Sequence, residues 1–248
     1  MKFLRTARFS KIRHWMMLLG FCLFPFAGRA QDSAVTAKVV EVKQGTGSAA
    51  DAPNVVVWLS PLDDSTQAAA SRVALDQSSQ LVQQNKTFEP HILVVRVGTL
   101  VQFPNRDPFF HNIFSLYDGK RFDLGLYEAG TTRSVRFDRP GVSFLFCNIH
   151  AEMSAAVLAV DTPYFAISDR LGRVSIPNVP DGRYEMHIWD ERGTPEGLKS
   201  LARTVVISGA SRALPPIRVT DNPDFTLAHK NKYGQDYVPP PNSGYVQP

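Results

Sequence analysis

Cysteine is nearly absent from this sequence, with two among 248 residues, Cys22 and Cys147. That excludes a disulfide framework. Long apolar runs are missing as well. The longest, Trp15–Ala27, has thirteen residues and is broken by Pro25, short of the ~20 that a membrane-spanning helix needs. Acidic residues are missing from the first thirty positions, which hold Lys2, Arg5, Arg8, Lys11, Arg13 and Arg29. The net charge of +4 therefore becomes +4 − 6 = −2 over residues 31–248. A mildly acidic body argues against a nucleic-acid partner. What is present, 44% hydrophobic residues with 20% charged, fits one large folded domain or two small ones and excludes a disordered or collagen-like chain.

The basic start, the short apolar run, and Gly28 and Ala30 after it form a secretory signal, residues 1–30, with cleavage expected after Ala30. A lipid anchor at Cys22 is disfavoured by Phe21, which stands where such a site wants a small residue. The expected location is periplasmic or secreted, with no membrane span once the signal is removed. Cleavage takes Cys22 with it. The mature chain then carries one thiol, Cys147, in an oxidising compartment, and a leftover thiol there calls for an explanation.

The body reads as strands. β-branched and aromatic runs near 35–42, 54–59, 80–84, 91–97, 100–103, 112–116, 131–137, 142–147, 155–160, 164–168, 173–176, 184–190, 202–207 and 217–219 are separated by turns such as Gly98-Thr99, Arg170-Leu171-Gly172 and Pro180-Asp181-Gly182. One short helix is expected around Ala68–Leu75. Many short strands without α/β alternation predict an all-β chain of sandwiches or barrels. Residues 221–248, with Val238-Pro-Pro-Pro241, read as an extended tail in which His229 is solvated.

The chemistry lies in Phe144–Met153, which offers Cys147, His150 and Met153 as C-x2-H-x2-M. Ser143, Leu145 and Cys147 share one parity, so the cysteine closes a buried strand and the other two donors follow on a loop. His111, in Pro108–Phe114, sits at a loop-to-strand junction and supplies a fourth donor. One thiolate, two imidazoles and a weak thioether suit copper cycling between Cu(I) and Cu(II). Singly, each residue has an ordinary reading: a buried cysteine as a small hydrophobe, a core methionine, loop or core histidines. Together, at this spacing in an exported all-β chain, they read as a metal set. His91, on the parity of Leu93 and Val95, is expected at the sandwich interior or its end. His187 reads as structural.

Residues 80–161 resemble the cupredoxins, the small blue copper proteins, with a ligand loop most similar to that of amicyanin. The resemblance rests on Phe88–Pro90, Leu93–Gly98, Val101–Asn105, His111-Asn112, Pro140-Gly141 and the Cys147 loop. It implies a Greek-key sandwich and a mononuclear type 1 copper site held by His111, Cys147, His150 and Met153. It also implies that Asn112 ties the two ligand loops together by hydrogen bonds. Ile149 departs from the pattern, standing where many members have proline, and its N–H is free to reach the sulfur. A binuclear site would need a second cysteine on this loop, which Asn148 and Ala151 do not supply. Residues 164–189 resemble a different module, the transthyretin-like sandwich attached to some carboxypeptidases, through Asp169 and Gly172, then Pro180, Gly182 and Tyr184. The expected layout is a signal over 1–30, a transthyretin-like sandwich made of 31–62 and 162–220, an inserted copper domain over 79–161, and the tail over 221–248.

The resemblance implies a one-electron carrier that is not an enzyme, docking a redox protein partner at an apolar patch of Phe109, Phe110, Ile149 and Ala151. The alternative is copper delivery, storage or sensing. Storage is opposed by methionine usage: of five, Met1, Met16 and Met17 lie in the signal, leaving Met153 and Met186.

Overall fold

A computed structural model describes residues 34–116 and 119–237. The signal segment, Cys22 and the end of the tail, including Val238-Pro-Pro-Pro241, lie outside the described residues. In chain order the first strands are β1 (Val35–Val42), β2 (Ala49–Asp51) and β3 (Val56–Pro61), then helix α1 (Asp64–Arg72). Next come β4 (Ser78–Gln80), β5 (Val82–Gln84), β6 (Thr87–Glu89), β7 (Ile92–Arg96), β8 (Leu100–Pro104), β9 (His111–Ser115), β10 (Phe122–Tyr127), β11 (Thr132–Arg136), β12 (Gly141–Phe146) and β13 (Ser154–Val160). The last group is β14 (Phe165–Ile167), β15 (Arg173–Ile176), β16 (Gly182–Trp189), helix α2 (Pro195–Ser200), β17 (Arg203–Ile207) and β18 (Ile217–Thr220). The chain is all-β, as expected.

A first sandwich sets the sheet β10-β9-β12-β13-β7 against the sheet β11-β8-β4, with the ribbon β5-β6 alongside. Its core holds Leu81, Val95, Phe103, Ile113, Phe137, Leu145 and Val157. A second sandwich sets β15-β1-β18 against β14-β3-β16-β17, and Val39, Leu59, Val174, Tyr184, Met186 and Ile207 fill it. β1 pairs antiparallel with β15 and parallel with β18, while β3 pairs with β14 and β16. The strands before residue 62 thus lie in the same sheets as those after residue 164.

The two sandwiches share a wall. Ile92 and Val94 of β7 and Leu158 and Val160 of β13 pack on Val56 and Trp58 of β3, Phe165 of β14 and Trp189 of β16. The alternate residues, Val95 of β7 and Ala155, Val157 and Ala159 of β13, face the first core. Both faces of β13 are therefore dry, which is why Ala155–Val160 is an unbroken apolar run rather than an alternating one.

The turn residues act as their chemistry requires. Asp169 accepts backbone N–H bonds from Leu171 and Arg173 through Oδ1, and Gly172 turns at φ +65°. A Cβ on Gly172 would lie 2.2 Å from the Val39 carbonyl oxygen, so only glycine fits. The buried Tyr184 hydroxyl donates to the Pro180 carbonyl at 2.9 Å, closing the next turn.

The structure adds elements that the strand pattern does not announce. β10 is interrupted by a register shift between Asp123 and Leu126 with Gly125 at φ +68°, which destroys its alternation. β2 and β6 are three-residue strands. The helix expected at 68–75 begins earlier, at Asp64, and α2 starts from a Thr194 cap whose side chain accepts from the Gly197 N–H. No helix among the described residues is long and apolar enough to cross a membrane.

Candidate metal centre

Three donor side chains, His111, Cys147 and His150, converge at one end of the first sandwich from two places in the chain. His111 is the first residue of β9, and Cys147 follows the last residue of β12. Ser143, Leu145 and Cys147 all face the core, so strand parity carries the thiol inward. The loop then closes on itself: the Cys147 N–H donates to the Met153 carbonyl and the Met153 N–H donates to the His150 carbonyl, each at 3.2 Å. Met153 is fully buried in the same cluster as Cys147. His111 is wholly buried and His150 is 9% exposed, so His150 is the more accessible imidazole.

The Cys147 Sγ lies 3.5 Å from His150 Nδ1 and 3.8 Å from His111 Nδ1, and the three donor atoms fall within 4.8 Å of one another. Bonds of about 2.3 Å to sulfur and about 2.0–2.1 Å to imidazole nitrogen, opened to a tetrahedral or trigonal angle, put nitrogen and sulfur about 3.5–3.8 Å apart. The observed separations match. The three donors are therefore close enough to share one mononuclear ion, and two imidazoles with a cysteine sulfur suit copper.

The electrostatics prepare the donors for a cation. Burial pushes the Cys147 thiol up, but backbone N–H groups of Asn112, Ile149 and His150 point at the sulfur and work the other way. The extra N–H of Ile149 is one of these three. Burial holds His111 below the ordinary imidazole range, and burial together with neighbouring His111 does the same to His150. Both rings stay neutral, with a lone pair to offer. Phe109 packs on both rings, with centroids 5.2 Å from His111 and 5.6 Å from His150.

Asp107 orients His111 and was not expected. Its Oδ2 lies 2.7 Å from His111 Nε2 in a buried pair. Burial opposes the charge on Asp107, yet N–H bonds from Lys86 and Asn85 and the contact with His111 hold its carboxyl below the usual range. An ionised Asp107 accepts the Nε2 proton and leaves Nδ1 unprotonated toward the sulfur, which fixes the tautomer a metal requires. Its sequence signal, Asp and His four residues apart ahead of a strand, is too common to find alone.

Three expectations change. The Asn112 side chain does not tie the ligand loops directly. Its Nδ2 donates to Asp123 Oδ1 at 2.8 Å, and it is the Asn112 backbone N–H that reaches Cys147. β10 is what draws the side chain away. His91 does not face the sandwich interior. It stands just before β7 and pairs across the shared wall with Glu191 at 2.7 Å. His229 is not solvated: its ring stacks on Phe146 at 4.2 Å, because residues 221–237 fold back instead of extending. His187 is structural, stacked on Trp58 at 5.0 Å. Of the apolar patch, Phe110 and Ile149 are 53% and 43% exposed, Ala151 is exposed and Phe109 is half-buried.

No protein-family description and no curated protein matches the chain. Among solved structures, a purple cupredoxin from Nitrosopumilus maritimus is 24% identical over 33% of this chain and 99% of its own, with a TM-score of 0.30. A reduced tryptophan-to-tyrosine mutant of amicyanin is 22% identical over 37% of this chain and 89% of its own, with a TM-score of 0.32. A copper-containing nitrite reductase from Thermus scotoductus SA-01 is 24% identical over 40% of this chain and 27% of its own, with a TM-score of 0.33. These are among the solved proteins to which part of the chain is similar.

Proposed function

We propose that the chain is an exported type 1 copper protein and a one-electron carrier, whose metal would be held by His111, Cys147, His150 and Met153. The observation that carries this is the pair of nitrogen–sulfur separations, 3.5 and 3.8 Å, around a buried thiol with no disulfide partner among the described residues. A bound copper ion supplies one-electron exchange between Cu(II) and Cu(I). The protein does the rest. Asp107 holds His111 in the ligating tautomer. The three N–H groups around Cys147 stabilise its thiolate. The β12 and β9 strand ends keep the donors in place, so little rearranges between oxidation states. With four protein donors there is no open position for a substrate, so the reading is a carrier and not an enzyme. His150 lies toward solvent, and Phe109, Phe110, Ile149 and Ala151 around it form the proposed dock for a redox protein. Such encounters are small and short-lived, so a modest patch is enough.

The same reading divides the chain into a signal over 1–30, a copper domain over 79–161, and a transthyretin-like sandwich built from 31–62 and 162–220 around it. The pairing of β1 with β15 and β18 supports the insertion.

The test is a visible spectrum of the purified mature protein during Cu(II) addition, with metal analysis to show that zinc has not filled the site. An intense thiolate-to-copper band at one copper per chain is expected. Copper bound without that band overturns the carrier reading in favour of copper delivery, storage or sensing.

A further inference from the structure

The folded-back C-terminal segment makes contacts concentrated on the ligand loop. It leaves β18 and is first anchored on the second sandwich: the Asn222 N–H donates to the Arg192 carbonyl at 2.8 Å, and the Arg192 guanidinium lies 5.9 Å from the Phe225 ring centre. It then crosses to the first sandwich and holds three consecutive residues. His229 stacks on Phe146. The Tyr237 hydroxyl donates to the backbone carbonyl of Cys147 at 2.6 Å. The Lys232 N–H donates to Asn148 Oδ1 at 3.0 Å. Lys232 also reaches the other ligand strand, because its Nζ donates to Asp123 Oδ2 at 2.7 Å while Asp123 Oδ1 accepts from Asn112, the neighbour of His111.

The segment is itself braced. Asn231 Oδ1 accepts from the N–H groups of Tyr233 and Gln235, and His229 Nε2 lies 3.1 Å from the Tyr237 hydroxyl. The Cys147 carbonyl explains what the bracing accomplishes. It sits one residue beyond β12, where the strand ladder no longer supplies a donor, and a buried carbonyl left without a partner is costly. Tyr237 supplies the donor from ninety residues away.

We propose that residues 225–237 are a strap that preorganises the metal-ligand loop, with Tyr237 as its positioning residue. The strap deepens the copper reading and rests on it for its effect on the metal. Its effect on the loop does not depend on copper. Tyr237→Phe keeps the ring and deletes one hydrogen bond, worth a net 0.5–1.5 kcal/mol, or about two- to tenfold in an opening equilibrium. Ending the chain after Asp224 removes the whole strap.

The test compares wild type with both variants. In metal-free protein, amide exchange across Cys147–Met153 is expected to quicken about two- to tenfold in Tyr237→Phe and further on truncation, with β16 amides unchanged. In copper-loaded protein, release to a chelator should quicken by a similar factor. The thiolate band should also move, which a loss of global stability alone would not cause in the protein that stays folded. Unchanged loop exchange and unchanged copper release in Tyr237→Phe overturn the strap while the copper reading stands. If wild type binds no copper, the copper reading falls, and loop exchange alone decides for or against the strap.

Discussion

The two sandwiches are built from the same kind of strand, yet they spend their polar groups differently. In the second, buried hydroxyls tie down the backbone: Ser168 donates to the Ala52 carbonyl, Thr162 to the Leu59 carbonyl and Tyr184 to the Pro180 carbonyl. In the first, a whole polar set is buried beside the core, comprising Gln83, Asn105, Asp107, His111, Asn112 and Ser115. The four buried side-chain atoms without a hydrogen-bond partner among the described residues, on Gln83, Thr99, Asn112 and Ser115, all lie in the first sandwich as well. Unpaired buried polar atoms cost stability. Their gathering in one sandwich marks it as the one shaped by a site, and the other as the one shaped by packing.

The largest break in this comparison is Cys147→Ser. A hydroxyl cannot supply the thiolate donor, so the copper band should vanish completely. The second sandwich should be unaffected, as followed by amide exchange in β16. A band that survives would remove Cys147 from the site.

Asp107→Asn comes next. An amide oxygen in the Oδ2 place can still accept from His111 Nε2 and the Lys86 N–H, but the amide nitrogen then faces the Asn85 N–H, and the charge that holds all three is gone. Losing such a supporting partner costs about 10–100-fold in metal affinity. Competition against a chelator measures it, and affinity equal to wild type would confine Asp107 to loop structure.

The sequence exposes these two residues unequally. Cys147, His150 and Met153 are legible because they lie within seven residues, and strand parity says which way the thiol points. His111 is legible only as a histidine at a loop-to-strand junction 36 residues before Cys147, and Asp107 was passed over. The strap is invisible in sequence, since Tyr237 and Cys147 meet only through the fold, and its polar residues, lying just before Val238-Pro-Pro-Pro241, read as part of an extended tail. β10 was lost for another reason: Gly125 and the bulge erase the period of two on which strand reading depends. The second sandwich was more legible, because its turns carry Asp169, Gly172, Pro180 and Tyr184 at fixed spacings.

Acid should separate the site from the wall between the sandwiches. Burial lowers His111 and His150, so below about pH 6.5 the unfolded chain takes up protons that the folded one refuses. Metal-free stability is therefore lost as pH falls through that range. The Glu191 contact raises His91, against burial. Its contribution is fully present below about pH 6.5 and is lost as pH rises through the higher folded value. Urea midpoints of metal-free protein should fall between pH 7.5 and pH 5.5, and fall further in His91→Gln, which removes the opposing contribution. A midpoint that rises on acidification in both proteins would contradict the neutral, buried state of the two site imidazoles.

The smallest expected effect is the sharpest, because it is purely electronic. Ile149 is 43% exposed, so Ile149→Pro leaves the core untouched, but it deletes the N–H that points at the Cys147 sulfur. That dipole favours negative charge on sulfur and weakens its donation to the metal. The reduced state, in which the metal draws less on the thiolate, benefits more. Removing the N–H should therefore lower the reduction potential. A differential of about 1 kcal/mol, the scale of one net hydrogen bond, is about 40 mV for one electron. Tyr184→Phe is the matching change in the second sandwich, deleting the bond to the Pro180 carbonyl and costing about 1 kcal/mol of stability. Equilibrium redox titration and urea unfolding of both variants give a two-by-two comparison. Ile149→Pro should move the potential more than the stability, and Tyr184→Phe should move the stability alone. A Tyr184→Phe protein with a shifted potential would mean that the second sandwich is part of the site, and the contrast between a region shaped by chemistry and one shaped by packing would fail.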